Sequence, residues 1–364
     1  MRILHVIDTL EFGGAEKVLV ALANGFASQH EVSICCISRS GPLASELDPR
    51  IKVICMGRGA GNDYLLPWRL ARHISQARYD VVHTHNWGVF LEGGIASWLA
   101  RTPVAIHTVH GPYAPHGPGW VQSLKRLLRH SLERLVARGF RRVVAVSDSI
   151  RDYIPKTVGI RAGKLSTVRN GIVGAAVSAP RTPDTLSFIT VGRLDAIKNH
   201  EMMIDAFARV AKALPQAHLT IVGDGPRRQA IDSRIEQLGL RSRVAMLGFR
   251  TDVAELLARA DVFLLSSRYE GISIALLEAM RAGLPTVATN VGGVPETVLA
   301  QRTGMLVEPG DTEAFAQAMR TLATAPDRRR AFGAAAQALQ QQEFSLGAML
   351  ARYSALYASP DTTV

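Results

Sequence analysis

At 364 residues, 47% of them hydrophobic and 20% charged, the chain is long enough for two globular domains and too apolar for disorder beyond its ends. Its net charge of +11 is lopsided: 22 Lys and Arg stand against 12 Asp and Glu up to Ile172, but 20 against 19 beyond it, so the first half is expected to face something anionic, whether lipid head groups, a diphosphate or nucleic acid. No run reaches the ~18 apolar residues of a spanning helix, and the apolar start of "MRILHVIDTL" is too short for a signal-peptide core, so any membrane contact is expected to be peripheral.

In chain order, short β-branched runs alternate with stretches of helical period. "RILHVI" precedes a helix over 15–28; "EVSICCIS" precedes a gap; "DVVHTHN" precedes a helix over 88–100, "VAIHTVH" one over 119–139 and "RVVAVS" one over 148–155. After "GAAVSAPRTPD" the alternation starts afresh: "LSFITVGRL", helix 199–214, "AHLTIVGDG", helix 226–239, "VAMLGF", helix 252–259, "VFLLSS", helix 273–282, "PTVAT" and a helix-rich tail. The pattern predicts two α/β domains, each a doubly wound parallel sheet, with ligands at the carboxyl ends of the strands and a cleft between the domains as the default active site. The expected boundaries are an N-terminal domain over 1–173, a linker over 174–184, a C-terminal domain over 185–342, and a tail over 343–364 whose helix packs back on the first domain. Cys35, Cys36 and Cys55 sit in apolar runs, are odd in number and lack metal-ligand spacing, so buried thiols in a reducing, cytoplasmic setting are expected.

The unusual residues gather at those strand ends. In "DTLEFGGAEKVLVALA", Gly13 and Gly14 allow close backbone approach at a helix N-terminus, which favours an anion; a plain tight turn is the alternative, and the dinucleotide fingerprint G-x-G-x-x-G is absent. "VGRLDAIKNH" carries Arg193 and Lys198 just past a strand, where two cations suit a diphosphate if they are not simply solvated. In "RYEGISIALLEAM", Glu270 and Glu278 would be about 12 Å apart and about 80° out of phase on a continuous helix, and so would not share a face. A better arrangement leaves Glu270 in the loop, puts the amides of Gly271, Ile272 and Ser273 at the helix start against a phosphate, and places Glu278 on the second turn, each carboxylate accepting from sugar hydroxyls. Ser273 is either the helix cap or a ligand contact.

"HTHN" and "HTVHG" place His83, His85, His107 and His110 at neighbouring strand ends. Four imidazoles could in principle ligate zinc, but at strand ends they more often hydrogen-bond to substrate or backbone, and the two cations already answer a phosphate's charge, so no metal is expected. The segment 119–143 is the most basic: Lys125, Arg126, Arg129, Arg134, Arg138, Arg141 and Arg142 against Glu133. Val121, Leu124, Leu128, Leu132, Leu135 and Val136 make an apolar stripe at helical spacing. Two placements are open: a helix lying on an anionic membrane, or a covering helix that buries the stripe on its own sheet.

The seven-residue separation of the glutamates in "EGISIALLE" resembles the signature of retaining glycosyltransferases of the GT-B fold, specifically glycosyltransferase family 4. The resemblance runs nearly end to end, through "GGAE", "HTVHG", "VSDSIRDYI", "VRNGI", "VGRL" with "KN", "VGDGP", "LGF" and "ATNVGGVPE"; the family's acid soon after "NG" is replaced here by Val173 and Gly174. It implies two Rossmann-like domains facing a central cleft, the first for acceptor and the second for a nucleotide sugar, a UDP-sugar being favoured and a GDP-sugar allowed. It further implies Glu270 and His110 beside the donor hexose, and Gly271, Ile272 and Ser273 on the diphosphate with Arg193 and Lys198 neutralising it. Glu278 would bind the ribose, Leu247 and Gly248 the base, and Gly13 and Gly14 would approach phosphate or acceptor. A metal-independent hexosyl transfer to a lipid-linked or saccharide acceptor is expected, in cell-surface polysaccharide or glycolipid synthesis, in the cytoplasm or on the inner face of the membrane. "HGPYAPHGPGW" would form a mobile lid. A nucleotide-sugar epimerase or hydrolase, or a basic nucleic-acid-binding protein, are the alternatives; the last lacks interleaved aromatics and a recognised motif.

Overall fold

The structure, a computed structural model, describes residues 1–59, 61, 63–112, 120–174 and 185–358, with side chains of 120–124 left aside. The expected lid is mostly outside the described residues, as is nearly all of the expected linker. The chain divides into two compact units, Met1–Gly171 with Leu346–Val364, and Ile172–Ser345.

The first unit runs β1 (Arg2–Thr9), α1 (Gly14–Phe26), β2 (Glu31–Arg39), β3 (Lys52–Cys55), α2 (Leu66–Ala77), β4 (Val81–His85), α3 (Phe90–Leu99), β5 (Val104–Val109), α4 (Trp120–Ala137), β6 (Arg142–Ala145), α5 (Asp148–Thr157) and β7 (Leu165–Thr167). The second runs β8 (Leu186–Val191), α6 (His200–Ala213), β9 (Ala217–Val222), α7 (Arg228–Gln237), β10 (Val244–Gly248), α8 (Val253–Ala258), β11 (Val262–Leu265), α9 (Ile274–Arg281), β12 (Thr286–Thr289), α10 (Val294–Thr297), β13 (Gly304–Val307), α11 (Thr312–Thr324) and α12 (Pro326–Glu343). The last helix, α13 (Leu346–Ala358), belongs to the first unit.

Both sheets are parallel, ordered β3-β2-β1-β4-β5-β6-β7 and β10-β9-β8-β11-β12-β13. Helices cover both faces, which is why the central strands read as nearly unbroken apolar runs; β4 and β5 are buried along their whole length. In each sheet the winding direction reverses once, between β1 and β4 and between β8 and β11, and such a switch point opens a crevice at the carboxyl ends of the strands. The gap after β2 in fact holds β3 and α2, and the tail of the second half contains a further strand, β13, as well as helices.

Packing follows from the periodicities. Leu19, Leu22, Ala23 and Phe26 line the buried side of α1. On the same helix Gly25 lets α13 approach closely, since a Cβ there would stand 2.7 Å from a methyl of Leu350. Tyr353 and Tyr357 of α13 are buried, at 1% and 2% exposure. The second unit centres on Phe188, Phe207 and Phe315, between the sheet and the packed pair α6 and α11. Cys35 and Cys36 are buried, but Cys55 is exposed, because β3 is an edge strand with one neighbour and little cover. No helix among the described residues is long and apolar enough to cross a membrane.

Candidate active site

In the second unit the switch point brings two loops together. The loop after β8 folds on Asp195, whose Oδ1 accepts from the amides of Ile197 and Lys198 at 3.0 and 3.1 Å. It is tied to the end of β11 by Ser266 Oγ, which donates to the carbonyls of Lys198 (2.8 Å) and Asn199 (3.1 Å), and by the Arg268 amide on the Ile197 carbonyl at 2.7 Å. So held, Lys198 Nζ forms an ion pair with Glu270. Ser267 Oγ donates to the same carboxylate oxygen at 2.7 Å, and Glu270 is 8% exposed.

The Glu270 backbone is fixed as well. Its carbonyl accepts from the Gly293 amide at 3.0 Å, and the turn that delivers this bond needs Gly292 at φ +52°, where a Cβ would collide with that carbonyl oxygen. Just beyond, Ser273 caps α9: its Oγ accepts from the Leu276 amide at 3.4 Å, so of the two roles open to this side chain the fold uses the cap. The first intrahelical bond runs from Leu277 to Ser273, so Gly271, Ile272 and Ser273 precede the helix at its positive end. Glu278 follows on the second turn, half-buried.

Arg193 lies on the same loop with its side chain 72% exposed and its Nε 4.0 Å from Asp195. Leu247 and Gly248 end β10, where the Gly248 carbonyl accepts from the Gly223 amide at 2.8 Å. Leu247 is exposed there, as is Phe249, an apolar ring that sequence reasoning did not single out.

In the first unit, Gly13 is the extended N-cap of α1, but the carboxylate of Glu16 folds over it. Burial raises the Glu16 pKa, against the hydrogen bond from its own amide. The positive end of this helix is thus already faced by an acid of its own first turn.

The histidines separate by strand alternation. His5 pairs in register with His83, and His85 with Thr108, so His5, His83, His85 and Thr108 share one face of the sheet, while Thr84 and His107 share the other. On the first face α13 supplies partners: Tyr357 Oη lies 2.7 Å from His83 Nδ1, and Thr108 Oγ1 is 2.7 Å from His83 Nε2 and 2.9 Å from Tyr353 Oη. His5 Nδ1 is 3.1 Å from His85 Nε2, and His85 Nδ1 is 3.2 Å from His110 Nε2. On the opposite face His107 Nδ1 meets Thr84 Oγ1 at 2.7 Å, and its ring packs edge-on against Phe90. The group of four at the strand ends therefore does not converge. Among the described residues, the trio close enough for one metal ion is His5, His83 and His85, although both ring nitrogens of His83 already meet hydroxyls. Burial drives His83, His85 and His107 well below the ordinary histidine value, His5 to about 3 and His110 to about 4.

Helix α4 departs from the covering-helix alternative. Leu128 and Leu135 are 63% and 58% exposed, and Leu127 and Leu132 are exposed too. The inward side is formed by His130, Glu133, Val136 and Ala137, Val136 alone of the described stripe packing inward, against Gly94 of α3; Glu133 is fully buried and bonded to His130 Nδ1 (2.8 Å) and Arg129 Nε (3.0 Å). Seating that polar pair turns the leucine stripe outward. Lys125, Arg126, Arg134 and Arg138 are exposed, and Arg129 is half-buried by its pairing with Glu133. Val121 and Leu124 lie among the side chains not described.

Two parallel doubly wound sheets, with a lysine–carboxylate pair and a helix start at one switch point, are an architecture shared by α/β enzymes of the GT-B fold. Comparison with known proteins narrows this. Residues 178–339 match the family of glycosyl transferases group 1, and residues 12–173 match glycosyltransferase family 4. The chain is 34% identical over 311 residues to N-acetyl-alpha-D-glucosaminyl L-malate synthase of Bacillus anthracis, covering 81% of this chain and 78% of that one. It is 28% identical over 315 residues to the Escherichia coli UDP-Gal:alpha-D-GlcNAc-diphosphoundecaprenol alpha-1,3-galactosyltransferase, covering 80% and 79%. Its fold matches that of the Anabaena protein HepE, solved in complex with UDP, with a TM-score of 0.82 at 22% identity over 97% of this chain and 98% of that one.

The chain belongs to glycosyltransferase family 4. It is a glycosyltransferase, which sets it with transferases rather than with the epimerase, hydrolase or nucleic-acid-binding alternatives.

Proposed function

We propose that the chain is a retaining hexosyltransferase that moves a sugar from a nucleoside diphosphate, UDP being favoured over GDP, to a lipid-linked or saccharide acceptor at an anionic membrane surface. The observation that carries the donor assignment is the Lys198–Glu270 pair at the β8/β11 switch point, directly ahead of the α9 N-terminus. Departure of the diphosphate is the main electrostatic problem of the reaction. Lys198, Arg193 and the amides of Gly271, Ile272 and Ser273 are donors of the kind that stabilise such a leaving group when held in place beforehand. Glu270 and His110 would contact the hexose, Glu278 the ribose, and Leu247 and Gly248 the base. With no nucleophile assigned, retention would follow from same-face attack through an oxocarbenium-like state, the leaving phosphate taking the acceptor proton. In this scheme the charge of the diphosphate is met by side chains and amides, without a metal.

The membrane part rests on α4. A helix with exposed Leu127, Leu128, Leu132 and Leu135 flanked by Lys125, Arg126, Arg134 and Arg138 has the composition of a surface-lying helix on anionic lipid. It packs beside α3, and α3 beside α2, and these neighbours expose Trp98 and Trp68, a residue type that favours the water–lipid boundary. Such a surface on the cytoplasmic side would place the enzyme beside a lipid-linked acceptor, in polysaccharide or glycolipid synthesis.

The test is a thermal-shift screen of UDP- and GDP-sugars followed by product analysis with the sugar that binds, since a ligand of the folded state raises Tm with its affinity. A UDP-hexose should stabilise the protein and yield a product of unchanged anomeric configuration. An inverted product would sink the retaining assignment.

A further inference from the structure

Two of the three thiols face each other across a strand pair. Cys36 of β2 and Cys55 of β3 are register partners in the parallel ladder. Neighbouring strands lie about 4.8 Å apart and their register partners point to the same face, while a disulfide needs Cα atoms about 4.4–6.8 Å apart. Strand alternation sends Cys35 to the opposite face, where it packs with Leu4, Val6 and Ile37. Cys36 and Cys55 are therefore the pair that the strand geometry sets up for a bridge.

Access divides the work between them. Cys55 is exposed, on an edge strand whose neighbour in the sheet is β2, so an external oxidant can reach it. Cys36 is fully buried, and burial, followed by the adjoining Cys55 thiol, pushes it up to about 12. Cys55 thus meets the oxidant first. Its thiolate attacks one sulfur of a low-molecular-weight disulfide and expels a thiol, leaving a mixed disulfide on Cys55. Cys36 then gives its proton to water, attacks the Cys55 sulfur and expels the second thiol. Two protein thiols and one small disulfide become one protein disulfide and two small thiols.

We infer that Cys36 and Cys55 form a reversible redox pair, which a small disulfide closes into a bridge tying edge strand β3 to β2. The pairing of the two strands continues past both cysteines. The Met56 amide donates to the Cys36 carbonyl and the Arg58 amide to the Ile37 carbonyl, each at 2.9 Å. Arg58 then reaches Asp8 at 2.9 Å and Glu92 at 3.6 Å, beside the β1/β4 switch point. The bridge braces the strand that delivers this guanidinium to the carboxyl ends of the first sheet.

The test is incubation of the full chain with oxidised glutathione, followed by intact mass and by fragmentation of the tryptic peptides 18–39 and 53–58. The expected product is lighter by two hydrogens, carries its link between Cys36 and Cys55, leaves Cys35 open to alkylation once unfolded, and reverts with dithiothreitol. Cys35→Ser should behave likewise, whereas Cys36→Ala should stop at one glutathione on Cys55. A wild type that also stops at the mixed disulfide, or a link through Cys35, overturns the inference. If Cys36→Ala does not fold, the wild-type map alone decides. Closure from the mixed disulfide should quicken about tenfold per pH unit between about pH 7 and 9, as the Cys36 thiolate fraction rises. A rate that ignores pH would deny Cys36 the attack. In the bridged form amide exchange over 52–58 should slow several-fold; unchanged exchange there would remove the hold on β3.

Discussion

Lys198 and Glu270 are separated by 72 positions in the chain, yet their side chains pair at the carboxyl ends of β8 and β11. Each is pinned by its own loop, the lysine through Asp195 and Ser266 and the glutamate through Ser267 and Gly293. Lys198→Ala should lower the transfer rate by about a hundred- to a thousand-fold, the usual loss on removing a preorganised donor. Because the pair acts as a unit, the double variant Lys198→Ala/Glu270→Gln should lose little more than the worse single variant. Steady-state kinetics of the three variants decide this, and fully additive losses would show that the two side chains act independently.

Gly292 holds the turn behind Glu270, where a Cβ would meet the Glu270 carbonyl. Gly310 also has a positive φ, +90°, but open space around it. Gly292→Ala should therefore cost about 2 kcal/mol or more and weaken donor binding, whereas Gly310→Ala should cost about 1 kcal/mol and leave binding intact. Urea unfolding with donor calorimetry separates them; equal costs would deny the close approach.

Acid should destabilise the first unit. His5, His83, His85 and His107 are neutral when folded, with pKa values held below the unfolded 6.5 by burial. The unfolded chain therefore binds more protons below pH 6.5. The stability gained by keeping these rings neutral is complete above that value and is lost as pH falls toward the folded values. Each group loses about 1.4 kcal/mol per pH unit in that window, so four of them at pH 5.5 lose roughly 5 kcal/mol relative to pH 7.5. Thermal melts at the two pH values should differ by about 10–20 °C. A Tm that stays constant would mean that the rings are not buried neutral.

For α4, replacing Leu128 and Leu135 by Ser should change stability by less than about 0.5 kcal/mol per site, because both are largely exposed. The same change should abolish flotation with anionic vesicles. Equal binding of the wild type to neutral and anionic vesicles, or none to either, would leave the leucine face without its proposed lipid partner.

The alternation of strands and helices was legible because buried parallel strands leave long apolar runs and their helices keep a 3.6-residue period. The pattern Leu66, Leu70, Ala71, Ile74 of α2 carried the same signal and was passed over amid exposed Tyr64, Leu65 and Trp68. β13 opens on Gly304 and is only half-buried in its middle, so it lacks the fully buried run that marks the equally short β11 and β12. The orientation of α4 could not be read, since a stripe of leucines says that a face is apolar, not that the sheet receives it. What turned it outward is the buried His130–Glu133 pair, visible only once the helix is seated. His5 was missed for a related reason. Period two tells which residues of β1 share a face, but its register with His83, 78 positions on, and the arrival of Tyr353 and Tyr357 from the far end of the chain are matters of topology.

The return of α13 to the first unit sets an order of events at the ribosome. Residues 1–171 emerge first, but the hydroxyls of Tyr353 and Tyr357 that meet Thr108 and His83 are made only after the whole of 172–345. The second unit, one unbroken stretch, can close as it is synthesised. The first must wait with its histidine face uncovered until α13 has been made, and a ribosome that stalls before Leu346 would release a nascent sheet with buried polar groups still seeking partners.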